Sequence, residues 1–172
     1  MDTILSSGIF IQSLGYIAVL LIALSFQINN RKHILSVLIF GMIFLSFHQF
    51  LLGALVGALS NGLTIIRNLV FRNKQSSAWL RHKSWPYLFA FLLAGISFLF
   101  WEDWYSLLPA LAVVCSTFAL WADDTRKIRI LSLLGPILWI PYALVIQSTP
   151  TLLIQIVIIS SILVAMIRFD RK

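Results

Sequence analysis

Arg31-Lys32-His33-Ile34-Leu35-Ser36 returns, one residue longer, as Arg126-Lys127-Ile128-Arg129-Ile130-Leu131-Ser132. Each copy follows one apolar run, opens a second, and is followed by a third. A basic mark that recurs in two triplets of apolar runs reads as a duplicated three-helix unit. Matching Ile34-Leu35-Ser36 to Ile130-Leu131-Ser132 sets the copies 96 residues apart, and Arg72 and Arg168 keep that spacing.

The rest of the chain agrees with a membrane setting. Of 172 residues, 60% are hydrophobic and 11% charged, with a mean hydropathy of +0.95. Soluble domains carry about 25% charged residues, so this composition belongs to a polytopic membrane protein. A net charge of +7 invites nucleic acid as a partner, but the charges sit at the ends of apolar runs, which is a topology signal. The single cysteine, Cys115, excludes an intrachain disulfide and reads as a packing residue. Asp2 and the lack of a basic n-region make the first run a retained helix, not a cleaved signal.

A bilayer core needs roughly 17–25 apolar residues per helix. On that measure the spans are Gly8–Gln27, Ile34–Leu52, Ala54–Phe71, Trp85–Trp101, Tyr105–Trp121, Ile128–Ile146 and Thr151–Arg168, with a turn expected at Gly53. This predicts an all-α membrane protein of seven transmembrane helices in one domain, residues 1–172. Lys and Arg gather in Asn30–His33, Arg72–Ser84, Ala122–Arg129 and Phe169–Lys172. The opposite loops, including Glu102-Asp103 and Gln147–Pro150, hold none. The positive-inside rule therefore predicts the N-terminus outside and the C-terminus in the cytoplasm. Spans one to three (residues 8–72) and five to seven (105–168) then run in the same sense, joined by span four (85–101). The expectation is a 3+1+3 arrangement of parallel repeats about an axis along the membrane normal.

Gly15-Tyr16-Ile17-Ala18, then Ser25-Phe26-Gln27 and Arg31, resembles the first helix of SemiSWEET and PQ-loop proteins. Asn61-Gly62-Leu63-Thr64 resembles the Asn-x-x-Thr of their third helix. Over nearly its whole length the chain resembles the YgjV-type family of bacterial inner-membrane proteins, a small SWEET-like family. The resemblance implies a SWEET-like fold in the inner membrane. It departs from the PQ-loop pattern at the Pro-Gln hinge, where Ser25-Phe26-Gln27 and Thr117-Phe118-Ala119 stand instead, and His48-Gln49 replaces an aromatic platform on the second helix.

Polar groups inside a membrane are costly unless paired, which makes each a candidate site. Gly57, Asn61, Thr64 and Asn68 share one helical face. That stripe either lines a substrate cavity or bonds helices together. Gln155 is a counterpart to Asn61 if the register slips by two residues. Facing amides of this kind suit a small polyhydroxylated or amide-bearing solute. Arg67 lies roughly 9 Å beyond Asn61 by helical rise. It either snorkels to the headgroups or serves as counter-charge to an anionic substrate. His48 and Gln49 sit near the outer end of span two, His48 as a proton-sensitive gate or a structural histidine. Gly135, Pro136 and Pro141 make span six the expected flexing element, and Trp139 between them either stacks on a ligand or packs.

No intramembrane carboxylate pair, no metal spacing among His33, His48 and His82, and no nucleophile beside a base argue for an enzyme. Asp123 and Asp124 beside Arg126 and Lys127 read as a solvated turn. The expected function is a facilitator or transporter of a small polar solute, without metal or cofactor. The rival is a non-transporting membrane protein that acts as an interaction partner or regulator. The lipid bilayer is the expected partner and nucleic acid is not, while monomer and homo-oligomer both remain open.

Overall fold

A computed structural model describes residues 2–52, 55–99, 103–145 and 149–170. The described residues are helical throughout, with no strand. The helices are α1 (Asp2–Phe26), α2 (Arg31–Leu51), α3 (Leu55–Arg72), α4 (Ser84–Leu99), α5 (Leu107–Trp121), α6 (Thr125–Ser132), α7 (Leu134–Val145) and α8 (Thr149–Phe169). A 3-10 turn, Trp104–Ser106, leads into α5. Counting α6 and α7 as one bent rod, the seven apolar runs correspond one for one to helices. Gly53, Trp101, Glu102 and Ile146–Ser148, where turns or span ends were expected, lie outside the described residues.

Four of these rods are long and apolar enough to cross a membrane: Ile9–Phe26, Arg31–Leu51, Thr125–Val145 and Leu152–Phe169. The helices α4 and α5 are apolar but shorter, at 16 and 15 residues. Helix α3 has the length but carries Asn61, Arg67, Asn68 and Arg72. Its polar groups are a local cost that only tertiary partners can offset.

The break between α6 and α7 has a covalent cause. Pro136 lacks the N–H that would bond Ser132, and its ring crowds that carbonyl, so the helix interrupts at Leu133. In α2, where no proline occurs, the helix runs unbroken through Gly41. Pro141 lies inside α7 and is exposed, as Gly135 and Pro136 are not.

In the first half α2 packs against both α1 and α3, and in the second half the α6–α7 rod packs against both α5 and α8. Helix α4 lies beside α3 and α5. The halves meet along two seams, α1 against α8 and α3 against α5. The C-terminal ends of α1, α3, α5 and α8 gather at one end of the bundle, where α2, α4 and α6 begin. The basic loops all lie there, so this is the basic end. The main apolar core sits close to it, with Phe26, Ile34, Leu35, Phe71, Leu120, Ile128 and Ile162 buried. Away from the core, large apolar side chains such as Phe91, Leu99, Leu59 and Ile9 are exposed, as expected of a lipid-facing surface.

Candidate functional site

Both basic marks start a helix behind a side-chain cap. Asn30 Oδ1 accepts from the backbone N–H of Lys32 and His33, and the Asp124 carboxylate accepts from Arg126 N–H. The caps stand 94 residues apart (30 to 124), two fewer than the Ile-Leu-Ser match implies. Other matches follow the same step. Ile34 and Ile128 are fully buried, and so are Leu35 and Arg129. A Cβ on Gly41 would lie 2.9 Å from Ile22 Cγ1 and 3.4 Å from Ala18 O, so this glycine lets α1 pass close, whereas one on Gly135 would meet the matching Ala112 O at an ordinary 3.9 Å. At this spacing Asn61 falls opposite Gln155 with no slip.

Two arginines, 98 residues apart, clamp the basic end through acceptors that do follow that step. Arg31 donates to the carbonyls of Ala122 (2.7 Å), Leu120 (3.5 Å) and Phe71 (2.8 Å). Arg129 donates to the carbonyls of Ile28 (2.9 Å) and Phe26 (3.4 Å), and to Asn29 Oδ1 (3.1 Å). Leu120 and Ala122 lie 94 residues beyond Phe26 and Ile28, so each arginine caps the first helix of the other half. Helix C-termini carry partial negative charge and unbonded carbonyls, which a guanidinium satisfies. Gln27, Asn29 and Asn30 thus each have a structural partner.

Carboxylates complete both clamps. Arg129 pairs with Asp170 at 2.7 Å inside the protein, while Arg31 lies 3.9 Å from an exposed Asp123. Asp123 also pairs with Lys74 at 2.7 Å, and Lys74 donates to Trp121 O and lies over the Trp121 ring. Partial burial pushes the Asp123 carboxyl up. The hydrogen bond and charge of Lys74, with Arg31 and Gln75, outweigh it and hold the group below the usual carboxylate range. The turn of Asp123, Asp124, Arg126 and Lys127 is exposed as expected, but its carboxylates serve a helix cap and a long-range ion pair, not the Arg126 and Lys127 side chains.

Deeper in the bundle the seams carry polar contacts. On the α3–α5 seam Arg67 donates to Thr117 Oγ1 at 2.9 Å, and its Nε and Nη2 both reach Asn68 Oδ1, at 3.2 and 3.1 Å. Arg67 is 3% exposed, so it does not snorkel; its stem turns into the seam and leaves the headgroups out of reach. On the α1–α8 seam Ser161 donates to Ala23 O and accepts from Gln27 Nε2 at 3.0 Å. Arg67 and Ser161 are 94 apart, and so are Ala23 and Thr117. One contact maps on the other when the halves are exchanged.

A match to the family model of bacterial inner membrane proteins, Imp-YgjV, covers residues 9–172. The chain belongs to that family. No curated protein and no solved structure matches it.

The remaining sequence candidates in this YgjV-type chain fall in different places. Asn61 Nδ2 donates to Gln49 Oε1 at 2.8 Å, so these two amides bond α3 to α2 inside the first half. His48 Nδ1 lies 2.7 Å from Ile11 O, which only accepts, so Nδ1 carries the proton; the ring rests on Gly15. Trp139 packs edge-on against Tyr142 at 5.4 Å. Thr64 is half-buried and Gln155 buried, and neither side chain bonds to another described residue. A groove of about 920 Å³ opens between α2 and α3 but is apolar, lined by Phe47, Ala58, Leu59, Gly62 and Ile66. It is apart from the polar seams. Among the described residues no His, Cys, Asp and Glu cluster could hold a metal. Sequence reasoning missed the structural use of Arg31, Arg129 and Lys74 and the seam contact of Ser161. Nothing local to either arginine announces this use, because the acceptors lie on the first helix of the other half.

Proposed function

We propose that the protein is a facilitator for a small polar solute, which passes between two parallel three-helix halves in a SWEET-like 3+1+3 arrangement. The halves are repeats 94 residues apart, with α4 as the linker, the N-terminus outside and the basic end in the cytoplasm. The chain is a carrier and not an enzyme, and as one chain with both halves it forms the path without a second copy.

One observation carries this reading: the polar contacts Arg67 to Thr117 and Ser161 to Ala23, related by the 94-residue step, lie on the two seams where the halves meet. Helix glue needs polar groups anywhere between helices. A path between halves needs them on both seams, where hydration of a passing solute is replaced by side chains. Thr64 and Gln155, without side-chain partners among the described residues, are the groups best placed to exchange bonds with it. Asn61 and Gln49, which satisfy each other, support the first half from behind.

Swelling of proteoliposomes in a panel of sugars, amino acids and monocarboxylates tests the proposal. Entry of one class faster than into empty vesicles, lost in Thr117→Leu with Ser161→Leu, is the expected result. Rates equal to empty vesicles across the panel would overturn it. Cysteine in place of Ser77 should react with an impermeant maleimide only in inverted vesicles; labelling in intact cells would reverse the orientation.

A further inference from the structure

The geometry points to a binding site for one carboxylate group at Arg67 and Asn68, which makes the solute of the proposed path a monocarboxylate. The inference rests on that path only for access; the site itself stands on the buried donors.

Among the described residues no Asp or Glu pairs with Arg67, although at the basic end Arg129 pairs with Asp170, and Arg31 and Lys74 share Asp123. A guanidinium carries five N–H donors and cannot shed its charge. Here Nε, Nη1 and Nη2 make one bond each, so two N–H groups have no acceptor among the described residues. Their neighbour adds a third donor: Asn68 is 1% exposed, its Oδ1 is engaged by Arg67, and its Nδ2 has no partner among the described residues. Unpaired buried donors cost free energy, and a buried cation without an anion costs more. Donors beside a fixed positive charge match the planar, two-oxygen acceptor of a carboxylate.

Charge selects the valence. Thr117, Thr64, Gln155, Gln27 and Ser161 are all neutral, so the seams supply one positive charge. A monoanion is balanced at this depth and a dianion is not. The shared chemistry is a monoanionic carboxylate, whose source is either a small free acid or the head of a fatty acid. Asn61, paired with Gln49, is not part of the site.

The test is the melting temperature of the purified full-length protein in detergent, with lactate, lactamide, sulfate and decanoate as probes. Lactate at about a hundredfold above its Kd should raise it by several degrees. The uncharged lactamide and divalent sulfate should leave it unchanged. Stabilisation by decanoate alone assigns the carboxylate to a fatty acid. Arg67→Gln should abolish the shift. Should that variant not fold, Asn68→Asp serves, because it places a carboxylate on the guanidinium. It should melt higher than the parent without lactate and no longer respond to it. Equal stabilisation by lactamide, no shift with either carboxylate, or a retained lactate shift in Asn68→Asp would overturn the inference. Its failure is separable from that of the path: lactate that stabilises without entering vesicles removes transport and leaves the site. A neutral solute that enters without any lactate shift removes the site and leaves transport.

Discussion

Arg31 and Arg129 grip the ends of α5 and α1 in the same way, yet they are held very differently. Arg129 is fully buried, lies over the Phe169 ring, and faces an Asp170 whose side chain is 9% exposed. Arg31 faces an Asp123 whose side chain is 67% exposed and shared with Lys74. A buried pair is worth little compared with an apolar substitute, but breaking it strands a charge. An exposed pair is screened and costs little to break. The α1–α8 side of the basic end is thus the fixed corner and the α3–α5 side the less firmly held one. Arg67 lies on the less firmly held side.

The largest effect should come from the fixed corner. Arg129→Met leaves Asp170 buried without its cation, and Asp170 Oδ2 already has no partner among the described residues. The expected loss is about 3–5 kcal/mol, read as a drop in melting temperature in detergent. Adding Asp170→Asn to Arg129→Met should recover part of it. A double variant no better than the single would place the cost in the lost carbonyl caps instead.

Arg31→Ala should cost less, about 1–3 kcal/mol, because it strands no buried carboxylate: Asp123 is exposed and keeps Lys74. A loss equal to that of Arg129→Met would erase the contrast between the corners. The smallest effect belongs to Asp123→Asn, at most about 1 kcal/mol, and 1 M salt should mimic it. Its pH dependence has a definite sign. Because the folded protein holds this carboxyl below its ordinary value, the contribution is present above that value and fades as pH falls through the lowered one. Melting temperatures of the parent and Asp123→Asn should therefore converge in acid and differ at neutral pH.

The contrast also marks how far the sequence could be read. All seven apolar runs became helices, their described ends within three residues of expectation except the start of α1, which lies six residues earlier, because hydropathy and length decide which segments can be buried in lipid. The interruption at Gly135-Pro136 was legible because proline acts locally. The register between halves was not: Ile-Leu-Ser matches at 96, but burial follows the caps at 94, since helix starts set the facing of every residue behind them. Arg67 reads on paper as a snorkelling side chain because depth says nothing of the helix on its far side. Thr117 and Asn68 hold it in, and only tertiary packing brings Thr117 there. The clamps were invisible for the same reason, their acceptors being backbone carbonyls about a hundred residues away.

A disulfide across a seam tests most directly whether solute passes between halves that move. In a Cys115→Ser background, Ala23→Cys with Ser161→Cys should cross-link α1 to α8, and Ser46→Cys with Ala58→Cys should cross-link α2 to α3 within one half. Oxidation should stop solute entry into proteoliposomes through the first variant, reduction should restore it, and the second should conduct in both states. Undiminished entry through a fully cross-linked seam would contradict the account.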